Sequence, residues 1–362
     1  MRYDEALAWL NGHINLERIG PRAPGELSLD GIRALMDVLG DPQDAAPTIH
    51  ITGTNGKGST ARVVTALLVE LGLTVGTYTS PHLQRINERM RIDGRALSDD
   101  ECARALELVA AAAPLADVTS SYFELLAAAG YAYFADVPTS ANVIEVGAGG
   151  RHDATNVVSA EVAVVTNVGL DHLDYFGPTI HHVAAEKAGI IEEGAHLVLG
   201  ADDPELRHHF LDQRPGTVWV LGDDIEVQRN EIAVGGRVLD VRTPMATYTD
   251  LFLPLHGAHQ GRNAALGLAA VAAFLARSLG GEVVAAASPA ATSSCSPPPA
   301  PRAPRRRPQR RGCRRGGRDL RLGVLRRRRH DPGVRVQQRS GAGRDARVAG
   351  PDRPPHRRGH RP

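Results

Sequence analysis

The chain has 362 residues, 42% hydrophobic and 23% charged, which is typical of a globular protein of two or three domains. Its formal net charge of +1 hides an asymmetry. Residues 288–362 contain 22 Arg and four Asp, which leaves 20 basic and 37 acidic residues in 1–287. The chain contains no apolar run of about 18 residues, and its three cysteines have no metal-like spacing, so neither a membrane span nor a disulfide framework is expected.

Short apolar segments alternate with amphipathic ones in the first part of the chain. Strands are predicted at 47–53, 73–80, 141–147, 161–169 and 195–200, and helices at 58–72, 98–113, 121–136, 179–191 and 259–280. This alternation predicts an α/β fold with a mostly parallel sheet and helices on both faces. Residues 217–253 contain short β-like runs between turn residues, which predict a small antiparallel β extension.

Residues 288–362 have a different composition. They contain no Ile, Met, Phe, Trp or Tyr and are dominated by Arg, Pro, Gly, Ala and Ser. Such a segment cannot bury enough apolar surface to offset its chain entropy, so we predict a disordered Arg/Pro-rich tail.

The segment HITGTNGKGST, residues 50–60, is the first candidate for chemistry. Its glycines free the backbone amides to converge on phosphate oxygens, and a helix N-terminus follows at the same place. Lys57 would add a positive charge, and Ser59 or Thr60 a hydroxyl for Mg²⁺. The segment departs from the common G-x-x-x-x-G-K-[ST] loop, since Gly58 separates Lys57 from Ser59. The alternative is a glycine-rich turn with a surface lysine.

Other polar residues follow the predicted strands, where ligands bind on such sheets. Glu145 ends a buried strand and would suit a nearby Mg²⁺, or would merely cap the next turn. Asp171 and His172 follow another strand at the same edge. Lys187 by itself is interpreted as an exposed lysine paired with a neighbour. The histidine pairs are interpreted as surface residues: His181, His182, His208 and His209.

Seven segments in this order resemble the folylpolyglutamate synthase/dihydrofolate synthase family of Mur-type ATP-dependent ligases. They are HITGTNGKGST, TSPHLQRINERMRIDG, SYFE, IEVGAGGRHDATN, GLDHLDYFG, EKAGII and GAHQGRNAA. The resemblance covers about residues 1–285 and implies a P-loop Mur-ligase-like central domain. It implies an ADP-forming ligase of folate biosynthesis and one-carbon metabolism that adds L-glutamate to dihydropteroate or tetrahydrofolate through an acyl phosphate.

The resemblance also implies the site residues. Those for ATP are Gly53, Thr54, Asn55, Gly56, Lys57, Gly58, Ser59, Thr60 and Asn263. Those for Mg²⁺ are Ser59, Ser80, Glu145 and His172, and K⁺ is a further cation that the family allows. Lys57, Lys187 and His172 are implied in catalysis, and Lys187 matches a lysine that the family carboxylates with CO₂. The pterin or folate side is implied to be Ile14, Asn15, Leu16, Ser121, Tyr122, Phe123, Glu124, His152, Asp153 and Ala154. Ala148 and His152 depart from the leucines usual in the family.

The resemblance ends before the second α/β domain of the family, which binds glutamate and closes over ATP. Consider the family-like string Leu-Asp-Ala-Ala-His-Asn, with C at every third codon position, preceded by the base C and followed by G. In a shifted frame it reads Pro-Arg-Arg-Arg-Pro-Gln-Arg, which is the sequence of 304–310. We therefore predict an ATP-binding catalytic domain at 1–287 and an out-of-frame tail at 288–362, with weak activity at most. The alternative for the tail is an Arg-rich arm that binds nucleic acid through phosphates.

These features predict a cytoplasmic monomer that acts on small molecules and has no membrane contact. Two other functions remain open: a sister Mur ligase of cell-wall precursors, and a non-catalytic ATP-binding remnant with a basic nucleic-acid-binding arm. The sequence does not decide between dihydropteroate and folate, or how many glutamates are added.

Overall fold

The computed structural model describes residues 1–19, 28–201 and 203–287, and the backbone of 336–337. The helices are α1 (Tyr3–Asn11), α2 (Leu16–Ile19), α3 (Asp30–Leu39), α4 (Lys57–Glu70), α5 (Asp99–Ala112), α6 (Tyr122–Asp136), α7 (Leu173–Phe176), α8 (Ile180–Ala188), α9 (Arg207–Leu211), α10 (His259–Phe274) and α11 (Gly281–Ala286). The strands are β1 (Thr48–Thr52), β2 (Val75–Tyr78), β3 (Met90–Ile92), β4 (Arg95–Ala96), β5 (Ala141–Glu145), β6 (Val162–Val165), β7 (His196–Leu199), β8 (Thr217–Val220), β9 (Glu226–Ala233), β10 (Gly236–Arg242), β11 (Thr247–Leu253) and β12 (Val336–Gln337).

The main sheet has eight strands in the order β4-β3-β2-β5-β1-β6-β7-β8. Strand β1 lies in its middle and pairs in parallel with β5 on one side and β6 on the other. From β1 the chain passes first to the β2 side and later to the β6 side, so the end of β1 is a topological switch point. Ligands of open α/β sheets bind at such a point, and the phosphate-loop candidate follows β1 directly.

Helices cover both faces of this sheet, as predicted. Apolar residues of α4, α10 and α11 pack on one face together with the second sheet. On the other face, α1, α3, α5 and α6 form one core cluster, and α8 and α9 form another against β6 and β7. Every residue of β1 and β5 is buried, which is expected of parallel strands covered on both sides. The predicted α/β fold with a mostly parallel sheet is confirmed.

The second sheet is smaller and antiparallel, in the order β12-β11-β10-β9. The prediction of an antiparallel extension is therefore correct for 226–253 and wrong for the first run of that region. Residues 217–220 instead form β8, which pairs in parallel with β7 at the edge of the main sheet. Trp219 and Val220 are buried there, and this burial outweighs the turn signals around them.

The prediction for residues 288–362 lies outside the described residues, apart from the two-residue strand β12. Among the residues that the structure does describe, no helix is both long enough and apolar enough to span a bilayer.

Candidate nucleotide and folate site

The loop between β1 and α4 has the backbone of a phosphate-binding loop. Gly53 has a φ of 147°, and a Cβ there would collide with the hydroxyl of Thr166. Gly56 is the N-cap of α4 with a φ of 86°, so the helix begins directly after a left-handed residue. The Lys57 ammonium folds back and donates to the Gly53 carbonyl at 2.9 Å. The N-terminus of α4 and the Lys57 ammonium therefore both lie at this loop, where an anion would be favoured.

The segment after β6 holds this loop in place. The amide of Thr54 donates to the Asn167 carbonyl at 3.1 Å, and the amide of Asn55 donates to Asn167 Oδ1 at 2.9 Å. Thr166 Oγ1 donates in turn to the Asn55 carbonyl at 2.6 Å. The loop conformation is thus fixed without a ligand, which lowers the ordering cost of binding.

The predicted nucleotide-site residues differ from one another in burial. Thr60 is fully buried, whereas Ser59 is half-buried, so Ser59 carries the more accessible hydroxyl at the start of α4. Asn263, on α10, is nearly buried and lies against the loop, since a Cβ at Gly56 would collide with its Oδ1. Its amide nitrogen donates to Gln260 Oε1 at 3.1 Å.

Glu145, the last residue of β5, is a buried carboxylate beside the phosphate loop. It is 4% exposed, and its Oε2 lies 3.3 Å from the position of a Cβ on Gly58. The amide of Ser80 donates to Oε2 at 3.1 Å, which joins two of the predicted Mg²⁺ ligands. Burial raises the pKa of Glu145 to about 7, although Lys57 and the Ser80 amide oppose this shift.

Lys187 is buried rather than exposed, so its interpretation from the sequence as a surface lysine is wrong. It lies in the last turn of α8 and is 1% exposed. Burial, and to a smaller extent the Lys57 charge, lower the pKa of Lys187 to about 8, although the Asp171 charge opposes this shift. The loop after β5 packs on the same helix end, since the Arg151 amide donates to the Glu186 carbonyl at 2.9 Å.

His172 lies on the rim of this region. It has a φ of 48° and its side chain is 45% exposed. Within the described structure its Nε2 lies 3.4 Å from Asp171 Oδ1, and its ring packs edge-on against Tyr175 and Phe176. None of these contacts joins it to Glu145 or Ser80, so its predicted role as a metal ligand stays a prediction.

The predicted folate-side residues come together from three parts of the chain. The Tyr122 amide donates to the Ile14 carbonyl at 2.9 Å, which joins 14–16 to the start of α6. The ring of Phe123 lies against Gly147, where a Cβ would be 2.5 Å from it. Phe123 therefore links this wall to the loop 146–156.

Several polar side chains of that wall bond within the protein. Ser121 and Glu124 form a capping box at the start of α6, with the Ser121 amide donating to Glu124 Oε2 at 2.7 Å. The His152 amide donates to Glu186 Oε1 at 2.9 Å. Asp153 is buried and accepts hydrogen bonds from Thr155 Oγ1 at 2.6 Å and from the Ala148 amide at 2.9 Å. These side chains shape the wall, while Ile14 and Phe123 offer it apolar surface.

Sequence reasoning missed Arg89, which is 1% exposed. Its guanidinium donates to both oxygens of Glu17, at 2.9 and 2.7 Å, and to His82 Nδ1 at 2.9 Å. This bidentate pair ties the segment after β2 to the 14–19 segment. The signal was present in TSPHLQRINERM, which contains both His82 and Arg89, but a single arginine among charged neighbours gives no sign of burial.

The chain matches the Mur ligase middle domain family over residues 119–271. Together with the parallel sheet and its glycine-rich loop at the switch point, this match defines a domain of the Mur ligase class. The chain is 41% identical to the dihydrofolate synthase/folylpolyglutamate synthase of Mycobacterium tuberculosis over 80% of its own length and 64% of that protein.

Solved structures give the same result. The fold is similar to that of M. tuberculosis folylpolyglutamate synthase complexed with ADP, with a TM-score of 0.73 and 40% identity over 80% of this chain and 66% of the other. It is also similar to an FPGS–AMPPCP–folate complex, with a TM-score of 0.73 and 32% identity over 79% of this chain and 71% of that one. The chain therefore belongs to the folylpolyglutamate synthase/dihydrofolate synthase family, as its sequence predicted.

The chain spans 64% of the length of the M. tuberculosis relative. About a third of that relative's length is therefore not matched by this chain.

Proposed function

We propose that this chain belongs to an ADP-forming ligase that joins L-glutamate to dihydropteroate or to a tetrahydrofolate. The observation that carries the proposal is the convergence of a phosphate loop, a buried carboxylate and a buried lysine at the switch point of a parallel sheet. Asp171 and Asp153 act on the same buried lysine, so the charges form one cluster at this edge.

The phosphate loop would bind ATP. The helix N-terminus and the glycine backbone offer amide donors, and Lys57 would leave the Gly53 carbonyl for the phosphate oxygens. Asn263 would contact the nucleotide from the far side of the loop, since it already lies against Gly56. The M. tuberculosis structure with the same fold is a complex with ADP, which supports this assignment.

Ser59, Ser80 and Glu145 fit a Mg²⁺ ion. Carboxylate and hydroxyl oxygens are the donors that Mg²⁺ prefers, and Glu145 is buried with the Ser80 amide as its hydrogen-bond donor in the described part of the chain. His172 would complete the set from the rim. When bound, the ion would neutralise charge on the phosphates during transfer.

Lys187 would carry a carboxyl group. Its lowered pKa of about 8 gives it a substantial neutral fraction near pH 8. The neutral amine attacks the carbon of CO₂, an N–C bond forms, one N–H proton leaves to solvent, and the cation becomes a carbamate anion. A ¹³C spectrum of the protein in ¹³C-bicarbonate should show a carbamate signal that is lost in Lys187→Arg, and a signal that survives in the variant contradicts the assignment.

The reaction would proceed in two transfers. An oxygen of the substrate carboxylate attacks the γ-phosphorus of ATP, and ADP leaves with the electrons of the broken P–O bond. The glutamate amine then attacks the acyl phosphate, phosphate leaves, and the amide forms with loss of a proton. Both transfers depend mainly on positioning and charge neutralisation, which the loop amides and Lys57 would supply.

The substrate side is supported by the wall that contains Ile14, Tyr122, Phe123 and Asp153. The related FPGS–AMPPCP–folate complex contains a folate, which favours the folate branch over a ligase of cell-wall precursors. A monomeric state and a requirement for K⁺ remain predictions from the sequence.

The test uses the full chain with Mg-ATP, L-glutamate and either dihydropteroate or tetrahydrofolate. Because 288–362 stands where a glutamate-binding domain is expected, we expect only weak glutamate-dependent release of ADP from this chain, with a product heavier by one glutamyl residue. The release should be about 100- to 1,000-fold lower in Lys57→Met. ADP release without an amide product contradicts the ligase proposal. Nucleotide binding without ADP release favours the ATP-binding remnant instead.

The division at residue 287 belongs to the same proposal, with 288–362 read out of frame in place of a glutamate-binding domain. Sequencing the gene from about codon 270 to past codon 362 tests it. One inserted or deleted base that restores Asp-Ala-Ala-His-Asn supports the proposal. A cellular protein whose mass matches the printed sequence contradicts it and makes nucleic-acid binding by the arm the next question.

A further inference from the structure

Three histidines from two helices lie together on the surface. His181 is in the first turn of α8, and His208 and His209 are on α9. Their nearest ring nitrogens all lie within 4.8 Å of one another. The sequence separates His181 from the other two by more than 25 residues, so only the fold reveals the cluster.

The geometry of the cluster is close to that of a metal site. His181 Nδ1 and His209 Nε2 are 3.1 Å apart, while two ligands of a tetrahedral Zn²⁺ ion with bonds of about 2.1 Å are roughly 3.4 Å apart. The rings of His208 and His209 have their centroids 3.9 Å apart. Small side-chain rotations would therefore place one nitrogen of each ring on a single ion.

One histidine makes the hydrogen bond that favours the tautomer of a ligand. His208 Nδ1 lies 2.7 Å from the Glu205 carbonyl, which is an acceptor only, so Nδ1 donates and Nε2 is the nitrogen left to bind an ion. A backbone carbonyl that fixes the second ring nitrogen is the usual outer partner of a metal-bound histidine.

The backbone beneath the cluster is well anchored. Ala184 and Ala188 on α8 pack in the same core cluster as Leu206 and Phe210, which flank the two histidines of α9. Thr179 caps α8 by accepting from the His182 amide. The imidazoles are therefore held close by packing beneath them, while His181 and His208 stay exposed to solvent.

We propose that His181, His208 and His209 form a surface site for a divalent transition-metal ion of the zinc type, which clamps α8 to α9. Three imidazoles suit Zn²⁺, Ni²⁺ or Cu²⁺, with water as the remaining ligand, and do not suit Mg²⁺, which prefers oxygen. The site is separate from Glu145 and does not depend on the ligase proposal. Since α8 also carries Lys187, the ion would fix the outer end of the helix whose inner end reaches the charge cluster.

The test titrates Zn²⁺ into the untagged, metal-stripped full chain with Mg²⁺ in excess, in competition with a chromophoric chelator. The double variant His181→Gln/His209→Gln is compared with His182→Gln, a matched control because His182 is on the same helix turn but bonds to Thr179 at 2.7 Å. Residues 288–362 contain Cys295, Cys313 and further histidines that can also bind zinc. The result is therefore read from the difference in bound zinc between the double variant and the other two chains. We expect the double variant to bind one equivalent fewer.

In the double variant, the zinc affinity of the histidine site should fall more than about 100-fold. This is more than the loss expected when only a residue that hydrogen-bonds to a metal ligand is removed. Zinc should also raise the melting temperature of the wild type and of His182→Gln, and leave that of the double variant unchanged. Equal zinc uptake and equal melting shifts in all three chains overturn the proposal.

A second variant covers the case in which the double variant does not fold. His208→Gln keeps the hydrogen bond between His181 and His209, so a cluster held by that bond alone would be unaffected. Reduced zinc affinity in this variant, with the same melting temperature as the wild type in chelator, supports the metal site. An unchanged affinity contradicts it.

Discussion

Burial raises the pKa of two carboxyl groups on consecutive parts of the chain, but the two differ in the hydrogen bonds that they accept. Asp153, in the loop 146–156, accepts from Thr155 N, Thr155 Oγ1 and the Ala148 amide. Glu145, at the end of β5, accepts from the Ser80 amide, and burial raises its pKa to about 7. The loop 146–156 satisfies its polar groups within the protein and forms a fixed wall. The end of β5, which we call the ligand-facing region together with the phosphate loop, keeps carboxylate oxygens that can accept from a ligand or bind an ion.

The largest effect is expected from breaking the ligand-facing region at Gly53. In Gly53→Ala the new Cβ meets the Thr166 hydroxyl at a φ of 147°, so the loop must shift. We expect nucleotide affinity to fall more than about 100-fold and the free energy of unfolding to fall by about 3 kcal/mol. Calorimetric titration with an ATP analogue and urea unfolding measure the two effects.

Gly72→Ala is the matched control, because Gly72 has a φ of 86° but no atom within 4 Å of the new Cβ. It should lose about 1 kcal/mol of stability through backbone strain alone and keep its nucleotide affinity. If both variants bind the nucleotide equally well, the description of the loop is wrong.

Asp153→Asn breaks the internally satisfied region. The asparagine side chain has an NH₂ group in place of one carboxylate oxygen of Asp153. One of the buried groups that donate to Asp153, such as the Ala148 amide or the Thr155 hydroxyl, therefore loses its acceptor. We expect the free energy of unfolding to fall by about 2–3 kcal/mol. Asp174→Asn, at an exposed position, should change it by less than about 0.5 kcal/mol, and equal effects in chemical denaturation contradict the contrast.

His50 makes the same network sensitive to pH. Its Nε2 bonds Thr155 Oγ1 at 2.9 Å, and burial lowers the pKa of His50 to about 3. Between pH 3 and 6.5 the unfolded chain binds a proton at this residue and the folded chain does not. The contribution of His50 to the free energy of unfolding is therefore fully present above pH 6.5 and falls as the pH is lowered, by about 2 kcal/mol at pH 5.

The measurement is the stability of the wild type minus that of His50→Gln at pH 7 and at pH 5. Glutamine keeps a donor for Thr155 but does not titrate, so the difference should shrink by about 2 kcal/mol at the lower pH. A difference that does not change with pH shows that His50 is protonated in the folded chain.

The ligand-facing region was the easier one to predict from the sequence. Glycines at Gly53 and Gly56 follow directly after an apolar run, and the same local pattern predicted the loop, α4 and the strand beside it. Glu145 was found because a carboxylate at the end of a buried strand is unusual. These signals are local in sequence, so no tertiary contact was needed to find them.

Long-range contacts account for what the sequence did not predict. The burial of Lys187 depends on the loop 146–156 packing onto α8, and Arg89 is buried by Glu17, 72 residues away. The sequence separates the surface histidines into two unrelated pairs, and β8 joins the main sheet only because β7 presents an open edge to it. Periodicity reports which face is apolar but not which distant segment covers it.

Glu145→Gln gives the smallest expected effect and the sharpest form of the comparison, because its sign is opposite to that of Asp153→Asn. At pH 8, above its raised pKa of about 7, the Glu145 carboxylate is charged and buried, and a neutral isostere relieves that penalty. Gln keeps an oxygen for the Ser80 amide, so without ligands the free energy of unfolding should rise by about 1 kcal/mol. The variant should also lose the part of nucleotide affinity that depends on Mg²⁺. If thermal denaturation shows Glu145→Gln to be as destabilising as Asp153→Asn, both carboxylates are structural and the distinction between the two regions fails.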